Sequence, residues 1–340
     1  MYKLFLKPIL FLFSPERAHS MIVGLLIFLR YIPFSGTIFR FIYSYKNSSL
    51  ERELFGIKFP NPIGLAAGLD KNGSIYNDMA NMGFGFVEIG SLTPLPQQGN
   101  PKPRCFRLVK DKAIINRMGI NNRGVEYAIE QLSSRKKRVI VGANIAKQST
   151  TPNESAAPDY EASFIRLYDH ADYFTLNVSC PNVKDLTNLQ EIDSLEEIIV
   201  KLTAYRSSRE QYKPILLKLS PDLIFEQLDA TIELVERSHI DGIIATNTTR
   251  SRDYLNYSDT GKISSIGDGG LSGAPLFGKS LEIVKYIKSR TDTPIIAVGG
   301  VMGPSEAKEM LDAGASLIQI YTGFIYSGPG IVKKILKHIK

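Results

Sequence analysis

The stretch Thr175-Leu-Asn-Val-Ser-Cys-Pro-Asn182 sets the residue types able to do chemistry closest together. An apolar run beginning at Tyr173 meets two asparagines, a serine, a cysteine and a proline in quick succession, which is poor material for a buried strand to continue through. The strand ends there and hands its polar groups to a site. Asn177 and Asn182 each offer a carbonyl acceptor and two N–H donors on a short stem, which suits a ring edge that alternates donors and acceptors. Cys180 is the ionisable group between them and a candidate general base. The plainer alternative is a cysteine packed as a small hydrophobe. Against it stand Pro181, which stops helix and ladder alike, and two amides that a core would have to satisfy.

A chain of 340 residues, 44% hydrophobic and 22% charged, can bury a large core and is not disordered. Cys105 and Cys180 lie far apart without CxxC spacing, so neither a disulfide framework nor a zinc site is indicated and a reducing compartment fits. His19, His170, His239 and His338 are scattered, and no metal is expected. No GxGxxG follows a strand, which argues against a Rossmann nicotinamide site. Asn177-Val-Ser179 matches a glycosylation acceptor by chance, in the absence of a secretory signal.

The net charge of +7 is unevenly placed. Before residue 50, Lys3, Lys7, Arg17, Arg30, Arg40 and Lys46 face only Glu16. These cations alternate with Phe, Leu and Ile rather than with polar loop residues, which points to an anionic membrane surface and away from nucleic acid. Pro8, Ser14-Pro15 and Pro33-Phe-Ser35-Gly36 divide this segment, and its longest apolar run, Met21 to Leu29, is far short of the roughly 20 residues that span a bilayer. Ser14 as N-cap and Pro15 predict a helix that Ile32-Pro33 ends, followed by a second over about residues 36–45. Ile22, Val23, Leu26 and Ile27 form one face of the first, with Arg30 placed to snorkel. Residues 1–45 therefore read as an amphipathic helix pair, with a cap on the main core as the alternative.

From Pro62 the pattern changes to short apolar runs alternating with helical stretches. Strands are expected at 63–67, 86–91, 139–145, 173–178, 215–219, 242–246, 295–298 and 317–321, with helices near 74–82, 122–134, 156–168, 193–206, 223–238, 279–289, 304–313 and 330–339. Eight strand–helix units make residues 46–340 a (β/α)8 TIM barrel of the α/β class, with the helical extension in front of it. Segments 92–118 and 247–272 exceed ordinary βα loops and are expected over the barrel mouth.

In such a barrel the active site gathers the residues just beyond the strand C-termini. In order these are Ala66-Ala-Gly-Leu-Asp-Lys71, Ser91 with Asn116-Arg-Met-Gly-Ile120 on its long loop, Asn144, Asn177, Lys218, Thr246-Asn-Thr248, Gly299-Gly300 and Tyr321-Thr322-Gly323. Gly270-Leu-Ser-Gly273 lies on the second long loop. The last two strand ends are where barrels bind phosphate, although glycines there also serve tight turns. Lys218, ending the run Ile215-Leu-Leu, would hold its charge in a confined space and stabilise negative charge on a bound ring; the alternative is an exposed strand-end lysine.

These residues resemble the dihydroorotate dehydrogenases, flavin enzymes that oxidise dihydroorotate to orotate in pyrimidine synthesis. The resemblance covers nearly the whole chain. It is carried by Ala66 to Lys71, Gly90-Ser-Leu-Thr-Pro94, Asn116 to Gly119, Leu176 to Asn182, Ala245-Thr-Asn-Thr-Thr249, Gly269-Gly-Leu-Ser-Gly273 and Ile320-Tyr-Thr-Gly323. It implies FMN contacts from Ala66, Ala67, Gly68, Leu69, Asp70, Ser91, Asn144, Asn177, Lys218, Thr246, Gly273, Gly300, Tyr321 and Thr322. Substrate contacts are implied from Lys71, Asn116, Arg117, Met118, Gly119, Ile120, Asn177, Asn182, Asn247 and Thr248, with Cys180 as catalytic base. The basic, apolar extension is similar to that of the quinone-reducing, membrane-associated class. A quinone acceptor and a peripheral position on the cytoplasmic face of the cell membrane follow from that class. Cys180 departs from it, since that class uses serine as base and the soluble class cysteine. The rivals are a soluble-class enzyme using fumarate or NAD, a non-catalytic barrel that serves as a binding module, and a phosphate-binding synthase on the same fold.

Overall fold

The computed structural model describes residues 2–134, 136–179 and 192–340. Eight parallel strands close into a barrel: β1 (Ile63–Leu65), β2 (Phe86–Leu92), β3 (Ile140–Ile145), β4 (Tyr173–Asn177), β5 (Ile215–Leu219), β6 (Gly242–Ala245), β7 (Ile295–Val298) and β8 (Leu317–Ile320). Each pairs with its neighbours in sequence, and β8 returns to β1 with Ile318 beside Ile63. The expected strands are all present within two residues of their bounds, because runs of Ile, Leu and Val buried on both faces are what a parallel barrel requires. The outer helices follow their apolar periodicity. In Ala156–Leu167, for example, Ala157, Tyr160, Phe164 and Leu167 are buried.

The barrel interior is filled by large rings set against missing side chains. A Cβ on Gly64 would come within 2.3 Å of the Phe86 ring, and one on Gly142 within 2.1 Å of the Tyr173 ring. Phe59, Phe86 and Tyr173 therefore stack edge-on through the lower barrel, with centroids 5.3 and 6.5 Å apart. Phe59 comes from an antiparallel hairpin, Arg52–Leu54 with Ile57–Phe59, that closes the floor. Its turn residues Phe55 and Gly56 both have positive φ, 57° and 74°, as a tight two-residue turn demands. This hairpin is absent from the sequence reading, since three-residue strands are too short to show a period.

The two long segments are not open loops. Cys105–Leu108, Ala113–Asn116 and Gly270–Gly273 form one antiparallel sheet, so the segment after β2 and the segment after β6 are hydrogen-bonded to each other. At the other end of the chain a π-turn, Tyr2–Leu6, leads into α1 (Lys7–Leu12), α2 (Pro15–Leu29) and α3 (Ser35–Tyr43). Ser14 caps α2 as expected, accepting from the Arg17 amide at 3.4 Å. Pro8 does not break the first segment, because it sits in the opening turn of α1, where its missing N–H is not needed.

The orientation of α2 corrects the sequence reading. Leu26 is buried, and Ile22, Val23 and Ile27 pack on the barrel core. Arg30 does not snorkel but pairs with Asp78, its Nε 3.0 Å from Oδ2. The face turned away from the barrel is also apolar: Met21, Leu25 and Phe28 of α2, Tyr31 and Phe34 of the turn, and Ile38, Phe41 and Ile42 of α3 are exposed, Phe41 by 86%. Periodicity could not separate the two faces, because both are apolar. Replacing Gly64 by Ala drives a methyl into the immobile Phe86 ring and is expected to destabilise the protein by about 1–3 kcal/mol. Thermal unfolding of Gly64→Ala against the parent protein measures this, and an unchanged midpoint would contradict the packing described.

Candidate active site

At the C-terminal mouth the strand register brings the expected polar residues together. Asn177 of β4 is opposite Lys218 of β5, and Lys218 is opposite Ile244 of β6. Lys218, Asn144, Asn177 and Thr246 are all buried, so the strand-end lysine is not the exposed charge that was its alternative. The amides are joined side chain to side chain. Asn144 Oδ1 accepts from the Ser91 hydroxyl, Ser91 Oγ accepts from Asn177 Nδ2 at 2.7 Å, and Asn177 Oδ1 accepts from Asn247 Nδ2 at 3.2 Å. Asn247 Nδ2 also reaches Ser179 Oγ at 3.0 Å, and its Oδ1 accepts from the Thr248 amide at 2.9 Å. The Asn177 carbonyl accepts from Tyr160 at 2.9 Å, which holds the end of β4 in place.

Beneath this cluster lies a residue that the sequence reading passed over. Glu88, at the centre of β2, is fully buried and accepts from Asn144 Nδ2 (2.9 Å), Thr175 Oγ1 (3.0 Å), Gln319 Nε2 (2.7 Å) and Tyr173 Oη (3.3 Å). Burial, reinforced by Glu88, pushes the Tyr173 phenol well up, so it stays protonated and donates. The signal was present: an acid between Val87 and Ile89 in an otherwise apolar strand is either misplaced or satisfied.

The β1 end, Ala66 to Lys71, is shaped by its own hydrogen bonds. Asp70 holds the turn that leads into the helix Tyr76–Asn81, accepting from the amides of Ser74 (2.7 Å) and Ile75 (2.8 Å). Its carboxylate is thereby committed, and burial raises its pKa. The Ala66 amide donates to the Ile320 carbonyl at 3.1 Å, Gly68 faces the Tyr321 ring, and the Leu69 carbonyl lies 2.7 Å from His19 Nε2 of α2. Across the mouth, Thr246 Oγ1 is 2.9 Å from Ser280 Oγ, and Thr322 Oγ1 is 2.9 Å from Ser272 Oγ beside Gly273. Gly300 has φ +73°, and a Cβ there would come 2.4 Å from the Phe277 backbone, so packing alone already requires glycine.

Residues 116–120 begin at the last residue of the strand Ala113–Asn116 and run on beyond the three-stranded sheet. Asn116 Nδ2 donates to the Gly270 carbonyl at 3.3 Å. The Arg117 guanidinium is turned to the carbonyls of Ile266 and Asp268 and stacks over Phe106, so its side chain ties the two long segments together. The Met118 carbonyl accepts from the Asn100 amide at 3.0 Å, while Gly119 and Ile120 have positive φ, 71° and 51°. Cys180 and Asn182 lie outside the described residues.

Residues 49–340 match the family described as Dihydroorotate dehydrogenase. The chain belongs to that family. A Christiangramia forsetii protein named Dihydroorotate dehydrogenase (quinone) is 46% identical over 100% of this chain and 98% of its own length. One of the same name from Coxiella burnetii is 43% identical over 98% and 96%. The crystal structure of DHODH from Eimeria tenella in complex with ferulenol superposes with a TM-score of 0.85 at 33% identity, covering 95% of this chain and 90% of that one.

Helices α1 and α2 are locked onto this family's barrel at the side of the mouth formed by β1 and the covering sheet. Arg104 pairs with Glu16 at 3.0 Å, Arg107 donates to the Phe13 carbonyl at 2.7 Å and lies over the Phe11 ring at 4.4 Å. Burial lifts the Cys105 thiol to about 11, so it is no base at neutral pH, and burial also raises the Tyr321 phenol. The His19 pKa is lowered, first by burial and further by the Lys71 cation, against the opposing pull of the Leu69 carbonyl and Glu16. With the docked ring harder to protonate than the free one, the contribution of His19 to the docking of α2 is complete above about pH 6.5 and is lost as pH falls through the lowered value. Limited proteolysis of residues 1–45 is therefore expected to accelerate from about pH 7.5 to about pH 5, and His19→Gln, which keeps an N–H donor but does not titrate, should flatten that dependence. An unchanged pH profile in His19→Gln would remove His19 as the cause.

Proposed function

We propose that the protein oxidises (S)-dihydroorotate to orotate with bound FMN and passes the electrons to a membrane quinone, as a step of de novo pyrimidine biosynthesis. The observation that carries the reading is the set of one buried ammonium and three linked amides, Lys218 with the buried Asn144 and Asn177 and the half-buried Asn247, at the mouth of a barrel of this family. Such a set matches a flat ring system rich in carbonyl and imide groups, and it fits the flavin and the orotate edge equally well.

In this reading Ala66, Ala67, Gly68, Leu69 and Asp70 line one side of the flavin through their backbone, and Ser91, Asn144, Asn177, Lys218 and Thr246 meet its polar edge. Gly273, Gly300, Tyr321 and Thr322 hold its phosphate. FMN, when bound, supplies hydride acceptance and the relay of electrons onward. Lys218 holds positive charge against the ring edge where negative charge gathers. Lys71 balances the substrate carboxylate, while Asn116, Asn177, Asn182, Asn247 and Thr248, with the backbone of Arg117, Met118, Gly119 and Ile120, hold the substrate ring. Cys180 removes the proton from the ring carbon next to the carbonyl. A thiol of reference pKa about 8.5 is roughly 3% thiolate at pH 7, so it is a base without a relay. Cys180→Ala is expected to lose at least about a hundredfold in single-turnover oxidation of dihydroorotate while still binding orotate, and Cys180→Ser to keep partial activity with its pH optimum moved upward. Full activity in Cys180→Ala would place the base elsewhere.

The acceptor reading draws support from the exposed apolar faces of α1 to α3 and from the quinone in the relatives' names. Among the described residues no helix is long and apolar enough to cross a membrane, which accords with a peripheral position on the cytoplasmic face through these faces and the flanking cations. Detergent-dispersed protein should oxidise dihydroorotate with a quinone far faster than with fumarate or NAD, and removal of residues 1–45 should abolish turnover with a long-tailed quinone. Equal rates with fumarate, or normal quinone turnover by the truncated protein, would favour a soluble-class enzyme instead.

A further inference from the structure

The hydrogen bonds at the barrel mouth run in one direction. The Thr248 amide donates to Asn247 Oδ1, Asn247 Nδ2 to Asn177 Oδ1, Asn177 Nδ2 to Ser91 Oγ, the Ser91 hydroxyl to Asn144 Oδ1, and Asn144 Nδ2 to Glu88 Oε1. One end is a backbone N–H, which can only donate. The other is a carboxylate, which can only accept. The side-chain amides and the hydroxyl between them could each serve in either sense, so their orientation is set from the two ends.

We propose that Glu88 is a positioning residue whose acceptor-only carboxylate fixes the direction of this chain and thereby decides which amide edges of Asn144, Asn177 and Asn247 face the bound flavin and substrate. Asn144 Nδ2 and Asn177 Nδ2 each carry a second N–H beyond the one the chain uses, and that N–H is what a ring carbonyl would meet, while Asn247 Nδ2 spends both of its own on Asn177 Oδ1 and Ser179 Oγ. Were Asn144 to turn over, Ser91 would have to reverse and Asn177 would follow, presenting a carbonyl where a donor is required. The three other donors on Glu88, from Tyr173, Thr175 and Gln319, keep its carboxylate fixed beneath Asn144. Gln319 turns its Nε2 to Glu88 although its Oε1 is left without a hydrogen-bond partner among the described residues.

The inference rests on the flavin reading given above, and two kinds of variant separate it from that reading. Glu88→Met removes the acceptor at similar volume. Asn144→Asp turns the first donor into an acceptor facing Glu88, and adding Glu88→Gln to it restores a donor–acceptor pair while leaving an oxygen to accept from Ser91. The readouts are the rate at which diluted holoenzyme releases FMN, followed by the fluorescence of the freed flavin, and the position of the bound flavin's visible absorbance band. Glu88→Met and Asn144→Asp should each release FMN at least about tenfold faster than the parent protein with a shifted band, and the double variant, which still lacks the N–H that Asn144 gives the flavin but regains the direction of the chain, should release it at least about threefold more slowly than Asn144→Asp alone with its band moved back toward the parent's. A role in packing alone would not be rescued by exchanging the two groups. The inference falls if Glu88→Met holds FMN as the parent does, or if the double variant is no better than Asn144→Asp; should Glu88→Met fail to fold, the second, isosteric pair decides. Parent protein that carries no FMN at all would overturn the flavin reading itself.

Discussion

A carboxylate placed at the centre of a closed barrel is tolerated only if donors converge on it, since an unpartnered buried charge costs several kcal/mol. Glu88 has four, drawn from β3, β4 and β8. That requirement propagates. Tyr173 can reach Glu88 because Gly142 leaves room for its ring, and the same ring packs against Phe86, which in turn needs Gly64. The polar order of the mouth and the apolar packing of the floor are thus two sides of one arrangement, with the side chains of β2 and β4 shared between them.

The covering sheet and the N-terminal helices depend on that arrangement in turn. Asn116, which ends the central strand of the covering sheet, is opposite Gly270 in the ladder, so the loops after β2 and β6 are joined as a unit. Arg104 and Arg107, on and beside the first strand of that sheet, carry the contacts to Glu16, Phe11 and Phe13. The His19 contact to Leu69 makes the opposite edge of the same junction. Helix α2 therefore bears directly on the loop that follows β1.

The two cysteines occupy different chemical settings. Cys105 is partly buried near Tyr321, and burial raises its thiol so that it stays protonated, whereas Cys180 ends a motif in which amides and a proline interrupt the strand. Sequence position alone, at a strand C-terminus of a barrel, separates the reactive candidate from the packed one.

The eight strands, their helices, the capped start of α2 and the strand-end residues that gather at the mouth were legible in the sequence, because parallel strands buried on both faces and helices buried on one leave distinct periodicities, and because strand C-termini of a barrel converge. Family membership was legible for the same local reason, since the motifs at those ends are contiguous. What only the tertiary structure decided were relations between residues distant in the chain. The floor hairpin and the covering sheet consist of strands too short to show a period, and their partners are more than a hundred residues apart in the case of Ile115 and Leu271. The face of α2 that meets the barrel was undecided because both faces are apolar, and only the position of the core and of Asp78 settles it. Glu88 stood in plain view in its strand, but its meaning depends on donors from three other strands, and no single stretch of sequence contains them.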